Sequence, residues 1–144
     1  MTNTNKYKLY KNLFLFWFFG STYASLELIF RNRSRWSMIV LGGICGLLIG
    51  LLNEYLFSWE DNIITQGIIG SLIVTLGELI VGNIVNLRLH WNVWDYSNVP
   101  FNVLGQICVP FMFLWFIISI LVIIVDDYVR YCLFDEEKPY YRWW

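Results

Sequence analysis

Long stretches without a charged side chain constrain the fold of this chain more than any other feature. Residues 36–53, 62–77 and 96–125 contain no Asp, Glu, Lys or Arg, and another apolar run begins near residue 12. Because a helix rises about 1.5 Å per residue, roughly 20 apolar residues cross the hydrocarbon core of a bilayer. In lipid the backbone must satisfy its own hydrogen bonds, so runs without alternating polarity favour helices over strands. The sequence therefore predicts an integral membrane protein.

The composition narrows the classes of partner and chemistry. Only 15% of the residues are charged and 58% are hydrophobic, whereas about a quarter of the residues in a soluble domain are charged. A net charge of -1 provides no basic stripe for nucleic acid. The three cysteines lack disulfide or zinc spacing, and the chain has no G-x-x-x-x-G-K-S/T, H-E-x-x-H or G-x-S-x-G motif. We therefore expect no nucleic-acid partner, no cofactor and no enzymatic activity.

We predict an all-α, polytopic transmembrane bundle of four helices in the lipid bilayer. It forms a single domain, residues 1–144, with spans near 12–30, 37–57, 63–86 and 103–125 and a short polar C-terminal tail, 126–144. An even number of spans puts both termini on the same side. That side has six Lys and Arg residues and the other has four, so the positive-inside rule favours cytoplasmic termini in the cell membrane.

Glycine and proline positions predict how the helices pack. Gly42, Gly46 and Gly50 recur at every fourth residue of the second span, and Gly70 belongs to a small-residue face in the third. Small residues at this spacing let helix backbones approach closely, so we expect a tight contact within the chain or in a homo-oligomer. Pro110 cannot donate the helical backbone hydrogen bond. The sequence therefore predicts a kink near Pro110 in the fourth helix.

Three glutamates lie inside the predicted spans, where a charged group is costly unless it faces protein or water. Glu27 and Glu78 are at similar depths in two helices that both run away from the side of the termini. Glu54 lies toward the termini, near Asp126 and Asp127, where carboxylates can be hydrated at the interface. The layer away from the termini is therefore the better candidate for a functional polar pocket. A purely structural network of the same groups is the alternative.

The predicted pocket combines charged, amide and aromatic side chains. Glu27 and Arg31 are spaced for an ion pair on one helix face. Two buried carboxylates with few cations nearby would take up protons or hold a cation, so the identity of any bound metal or other ion stays open. The predicted pocket residues are Glu27, Arg31, Glu78, Asn86, Arg88, His90, Trp94, Asp95, Tyr96, Asn102 and Gln106.

The connection HWNVWDYSNVPFN, residues 90–102, lies over this layer. Trp94 and Tyr96 are typical of a membrane interface, and His90 is the only histidine in the chain. Asp95 begins an Asp-x-Ser sequence that readily forms a turn, and Asn102 is placed to cap the fourth helix. We interpret the segment as the lid of the pocket, with Asp95 as the first residue to mutate.

Three features in order resemble a known family. They are Glu78 in a glycine-containing helix, the motif W-D-Y-S at 94–97, and N-x-x-G-Q-I-C at 102–108. Over residues 70–130 the chain is similar to the bacterial membrane proteins described as putative ABC-transporter type IV, or CmpB-like permeases. Glu27 resembles the acidic residue of that family's first helix. The family's R-G-x-L-x-G-P and P-I-Y-G segment is replaced here by SRWSMIVLGGICGLLIG.

The resemblance implies a multi-pass membrane protein with a role in transport. Because the chain has no phosphate-binding loop, ATP hydrolysis would require a separate ATPase or another membrane partner. We therefore predict a permease-like transport or channel component with a buried polar pocket.

Two alternatives of other classes stay open at this point. In a membrane-embedded enzyme acting on lipid or peptide, Glu27, Glu78, His90 and Asp95 would act as acid, base or metal ligands. In a structural or regulatory subunit of a larger membrane complex, the tail FDEEKPYYRWW, residues 134–144, would dock on a partner.

Overall fold

The computed structural model describes residues 3–58 and 61–144, with only the backbone described at Asn3 and Asn53. Its main elements are four helices, as the sequence predicts. They are α1 (Asn3–Arg31), α2 (Trp36–Tyr55), α3 (Ile63–Gly82) and α4 (Val109–Phe134). A π-helical turn, Asn83–Arg88, continues α3, and an antiparallel hairpin of β1 (Asn102–Val103) and β2 (Ile107–Cys108) precedes α4. The all-α fold of four helices is confirmed.

Three stretches of the described chain are long and apolar enough to cross a membrane, namely Thr4–Arg31, Ile63–Arg88 and Val109–Phe134. The apolar part of α2, Trp36–Leu52, is shorter. With 20 residues, the whole of α2 is about 30 Å long, close to the thickness of the hydrocarbon core. The protein is therefore a membrane protein in which α2 packs against each of the three longer helices.

The start and end of α4 differ from the prediction. The sequence places the fourth span at 103–125, whereas α4 begins at Val109 and continues to Phe134. Leu104 and Gly105 have φ angles of +54° and +66°, which lie outside the helical region and turn β1 back onto β2. The polar tail accordingly begins at residue 135 rather than 126.

Two expectations at this junction are wrong because the helix starts later. Pro110 lies in the first turn of α4, where its missing N–H needs no partner, so it does not kink the helix as predicted. Asn102 does not cap α4, since Cys108 is the N-cap residue. The side chain of Asn102 instead accepts a hydrogen bond from the Gly105 N–H at 3.1 Å, which stabilises the hairpin turn.

Glycines bring α2 close to its neighbours within the chain. Gly42 lies against the side chain of Tyr23 and Gly46 against that of Phe19, both on α1. A Cβ atom at either glycine would overlap these aromatic side chains. Further along the chain, Gly50 faces Asp126 of α4, and Gly70 of α3 faces Ser119, which is also on α4. The glycine faces are thus occupied by contacts inside one bundle.

Both termini lie at one end of the bundle, as predicted. The Tyr7 hydroxyl near the start of α1 donates to the carbonyl of Phe134 at the end of α4, at 3.0 Å. The N–H of Ile63 at the start of α3 donates to the carbonyl of Arg142 in the tail, at 2.9 Å. We call this the terminal end. The other end, formed by residues 31–36 and 83–110, is called the loop end.

Candidate binding site at the loop end

A network of amides folds the segment that connects α3 to α4. Asn86, in the π-helical turn, donates its side-chain N–H to Gln106 Oε1 at 2.8 Å and accepts the Val93 N–H at 2.7 Å. The Trp94 indole N–H donates to the carbonyl of Gln106 at 3.0 Å. All four residues are buried. Because buried polar groups are costly without partners, this network fixes the connection against the bundle.

Glu78 is held under the connection by two neutral donors. Its side chain is 3% exposed and accepts the Tyr96 hydroxyl at 3.0 Å and the Trp115 indole N–H at 2.8 Å. The ring of Tyr96 stacks on Phe111 of α4 at a centroid distance of 4.5 Å. Among the described residues, no Lys, Arg or His forms an ion pair with Glu78. The carboxyl group is therefore oriented by two hydrogen bonds and has no counter-charge among the described residues.

Tyr96 is a dedicated donor in this arrangement. Burial and the neighbouring Glu78 carboxylate both raise the pKa of the Tyr96 hydroxyl above its ordinary value. The phenol therefore stays protonated at neutral pH, and its hydroxyl remains available to donate to Glu78.

A pocket of about 100 Å³ adjoins Glu78 and lies between α1 and α4. Residues of α2 also line the pocket, including Gly42 and Gly46, on which the side chains of Tyr23 and Phe19 pack. Among the described residues that line it, Glu78 is the only acidic one, and the others are almost entirely apolar and aromatic. The lining includes Phe19, Tyr23, Leu26, Cys45, Trp115, Ile118 and Val122. The site therefore combines an apolar cavity with the carboxyl group of Glu78, which can accept hydrogen bonds.

Glu27 lines a different pocket. It is buried and accepts hydrogen bonds from Arg31 Nη1 at 3.1 Å and from the Ser34 hydroxyl at 2.8 Å. Arg31 also contacts the carbonyl of Val93, with 3.4 Å from Nη2 to the oxygen. This second pocket has a volume of about 160 Å³. The structure therefore places Glu27 and Glu78 in two separate pockets, one polar and one apolar.

The remaining predicted residues line neither pocket. Asp95 is exposed and accepts the backbone N–H and the hydroxyl of Ser97, and these hydrogen bonds lower the pKa of its carboxyl group. Arg88 and His90 are also exposed. Asn102 belongs to the hairpin. Within the W-D-Y-S motif, Asp95 thus shapes a local turn, and Tyr96 is the residue that reaches a buried carboxyl group.

Sequence reasoning did not select Trp115, although it completes the Glu78 site. A tryptophan in the middle of an apolar span is a detectable signal, because a buried indole N–H requires an acceptor. Ser34, which holds Glu27, has no comparable signal in the sequence.

A second group that was missed lies at the terminal end. Five charged side chains from α1, α2, α4 and the tail form what we call the terminal ion cluster, Lys11, Glu54, Asp126, Arg130 and Glu136. Asp126 is 0% exposed and pairs with Arg130, which is also buried. The interpretation of Asp126 as a hydrated interfacial carboxylate is therefore wrong.

No group of three or more His, Cys, Asp or Glu side chains in residues 3–58 and 61–144 is arranged to hold a metal ion. The pocket beside Glu78 offers a carboxyl group, and the pocket beside Glu27 offers guanidinium groups.

Comparison with known proteins extends the resemblance seen in the sequence. A family model described as Putative ABC-transporter type IV matches residues 13–140, which is most of the chain. No curated protein and no solved structure gives a significant match. The match includes all four helices except the first turns of α1, and it covers both pockets. The chain belongs to the Putative ABC-transporter type IV family.

Proposed function

We propose that this chain is a membrane component of a transport system, and that the pocket beside Glu78 receives the molecule that is moved. The family and the long apolar helices fit a membrane transport component. The observation that carries the proposal further is Glu78, a buried acid that faces an otherwise apolar pocket. A carboxyl group in such a place is costly for the fold, which favours a functional reason for keeping it.

The chemistry of the pocket supports one class of ligand. An ionised carboxylate only accepts hydrogen bonds, and in an apolar site it is stabilised by a cation. The aromatic rings of Tyr23 and Trp115 lie beside it and attract cations through their faces. The proposed ligand is therefore a small apolar molecule that carries a cationic or hydrogen-bond-donating group.

The pocket alone is not a complete pathway. A volume of about 100 Å³ holds part of a small molecule and does not extend across a core of about 30 Å. We propose that a homo-oligomer or an associated membrane subunit completes the pathway. If transport is driven by ATP, we propose that a partner chain supplies the ATPase, since these 144 residues contain no phosphate-binding loop.

Chemical labelling tests whether Glu78 is a ligand-accessible acid. A hydrophobic carbodiimide, which modifies carboxylic acids in apolar surroundings, is expected to label Glu78 in the purified protein, as detected by peptide mass spectrometry. Benzyltrimethylammonium, a small aromatic cation, is expected to protect Glu78 from labelling. In proteoliposomes with a negative-inside potential, uptake of the same cation should exceed that of protein-free vesicles and fall to background in Glu78→Gln.

A matched control separates the pocket from general charge effects. Glu137→Gln removes one exposed carboxyl group from the tail and should leave both labelling of Glu78 and uptake unchanged. Absence of protection, together with equal background uptake by the wild type and Glu78→Gln, would contradict the proposal.

We also propose that the chain lies in the cell membrane with cytoplasmic termini, in line with the six basic residues on that side. The three cysteines provide a direct test, because Cys132 near the terminal end is exposed while Cys45 and Cys108 are buried. A membrane-impermeant maleimide is expected to label the protein in lysed cells and not in intact cells. A Cys132→Ser variant should remain unlabelled in both, and equal labelling of intact and lysed cells would reverse the orientation.

A further inference from the structure

The connection between α1 and α2 gathers three arginines around the second pocket. Arg31, Arg33 and Arg35 line a volume of about 160 Å³ together with Glu27, Ser34, Asn92 and Val93. A water molecule occupies about 30 Å³ in the liquid, so the pocket has room for a group several times larger. Its lining is rich in hydrogen-bond donors, in contrast to the apolar pocket beside Glu78.

The pocket keeps an excess of positive charge. Glu27 forms an ion pair with Arg31. The positive charges of Arg33 and Arg35 are therefore not neutralised by Glu27. Among the described residues, neither Arg33 nor Arg35 forms an ion pair with an acidic side chain. The guanidinium of Arg35 stacks instead on the ring of Trp91, at 5.7 Å from the centroid. Stacking orients this group while leaving its N–H donors available.

The backbone adds to the same preference for a negative group. Arg35 is the N-cap residue of α2 and makes no side-chain capping hydrogen bond. The first N–H groups of a helix carry a partial positive charge and attract anions. The N-terminus of this 20-residue helix therefore begins directly beside the three arginines.

The position of the pocket indicates where its ligand comes from. It lies where the apolar stretch Thr4–Arg31 ends, which is the level of the lipid headgroups if that stretch crosses the membrane. Trp36 and Trp91 pack edge to face beside it, with ring centroids 5.8 Å apart. Tryptophans are enriched at this level of a bilayer, which supports a position of the three arginines near the phosphate groups of the lipids.

We propose that this pocket binds a phosphate group, and that the group is the phosphodiester of a phospholipid headgroup. The N–H donors of a guanidinium group match the spacing of phosphate oxygens, so one arginine can form two parallel hydrogen bonds with a phosphate. Bound in this way, the headgroup links the end of α1 to the start of α2. This site is separate from the Glu78 pocket and does not depend on the function proposed for it.

Binding of short-chain lipid to the purified full chain tests the proposal. Isothermal titration calorimetry in detergent compares dihexanoyl phosphatidylglycerol, inorganic phosphate and dihexanoyl glycerol, which lacks the phosphate. The phosphatidylglycerol is expected to bind, and the Arg33→Gln/Arg35→Gln variant should lose at least about tenfold in affinity, since each hydrogen bond to a charged group contributes substantially. No measurable binding of phosphatidylglycerol or phosphate to the wild type would overturn the proposal.

Two further variants distinguish a built site from a general attraction to anions. Arg88→Gln removes an exposed arginine at the same end of the bundle, outside the pocket lining, and should stay within about twofold of the wild type. Arg33→Lys/Arg35→Lys keeps the charge but loses paired hydrogen bonds, so its affinity should fall. Equal weakening in Arg88→Gln, or full affinity in the double lysine variant, would overturn the proposal.

The same titrations identify the source of the phosphate. Tighter binding of phosphatidylglycerol than of inorganic phosphate supports the lipid headgroup. Equal binding of both supports the phosphate site and assigns it to the free anion. Circular dichroism and size-exclusion profiles that match the wild type show that each variant is folded. If the double glutamine variant does not fold, the double lysine variant still tests the proposal.

Discussion

Replacing Arg130 with methionine is expected to lower the free energy of unfolding by about 3–5 kcal/mol, because it leaves a buried carboxylate without its partner. Asp126 is 0% exposed, and Arg130 Nε donates to its Oδ2 atom. Arg130 Nη1 also lies 2.6 Å from Glu54 Oε1, which links α4 to α2. Loss of the guanidinium therefore removes an ion pair and a connection between helices at the same time.

Thermal and denaturant unfolding in detergent micelles measures this loss. A second variant separates the stranded charge from the lost packing: Asp126→Asn/Arg130→Met removes both charges with little change in volume. Because replacing a whole buried pair is much less costly than removing one partner, the double variant should recover most of the stability. Gly50 lies directly against the Asp126 carboxyl group, so a residue larger than Asn is not suitable at 126.

The control for Arg130→Met is Arg88→Met, which removes an exposed arginine. Its stability should stay within about 0.5 kcal/mol of the wild type, as is usual for surface substitutions. If Arg130→Met is as stable as this control, the terminal ion cluster does not stabilise the bundle and the argument fails.

Replacing Asn86 with leucine is expected to open the connection between α3 and α4 at a cost of about 2 kcal/mol or more. The change leaves the Val93 N–H and Gln106 Oε1 buried without partners, and each such group costs about 1–3 kcal/mol. Hydrogen exchange measured by mass spectrometry should show faster exchange across residues 93–106. The terminal end of the bundle should keep its wild-type protection.

Asn98→Leu is the matched control, because Asn98 lies in the same connection and is exposed. It makes the same chemical change without burying an unpaired group, so exchange across 93–106 should match the wild type. If hydrogen exchange across residues 93–106 is as slow in Asn86→Leu as in the wild type, the amide network does not hold the connection in place.

The helices could be predicted from the sequence, and the hairpin could not. Runs without charge are sufficient to identify a membrane bundle, because the cost of exposed backbone in lipid leaves helices as the solution. The same absence of charge makes β1 and β2 indistinguishable from the start of α4, because residues 96–125 form one uncharged run. The positive φ angles of Leu104 and Gly105 turn β1 back onto β2, and the extended backbone of Cys108 separates the hairpin from α4. Leu at a positive φ angle is unusual.

Of the predicted pocket residues, Glu27, Arg31 and Glu78 line pockets in the structure, but the sequence does not show that these are two separate pockets. Counting along the helices places Glu27 and Glu78 at one depth, but it contains no information about which direction each side chain faces. The packing of α1 on α2, and of α3 on α4, decides that Glu27 meets Ser34 and that Glu78 meets Trp115. The terminal ion cluster could not be predicted for the same reason, because Lys11 and Arg130 contact Glu54 from different helices.

One contact links the size of the apolar pocket to the hydrogen bonding of Glu78. Tyr23 of α1 lies beside Trp115 of α4, with ring centroids 6.3 Å apart, and both rings line the pocket. The same Trp115 indole holds Glu78. A molecule too large for the existing space must therefore push against the ring that fixes the carboxyl group. We therefore expect entry of a larger molecule between α1 and α4 to remove one of the two hydrogen bonds that hold Glu78.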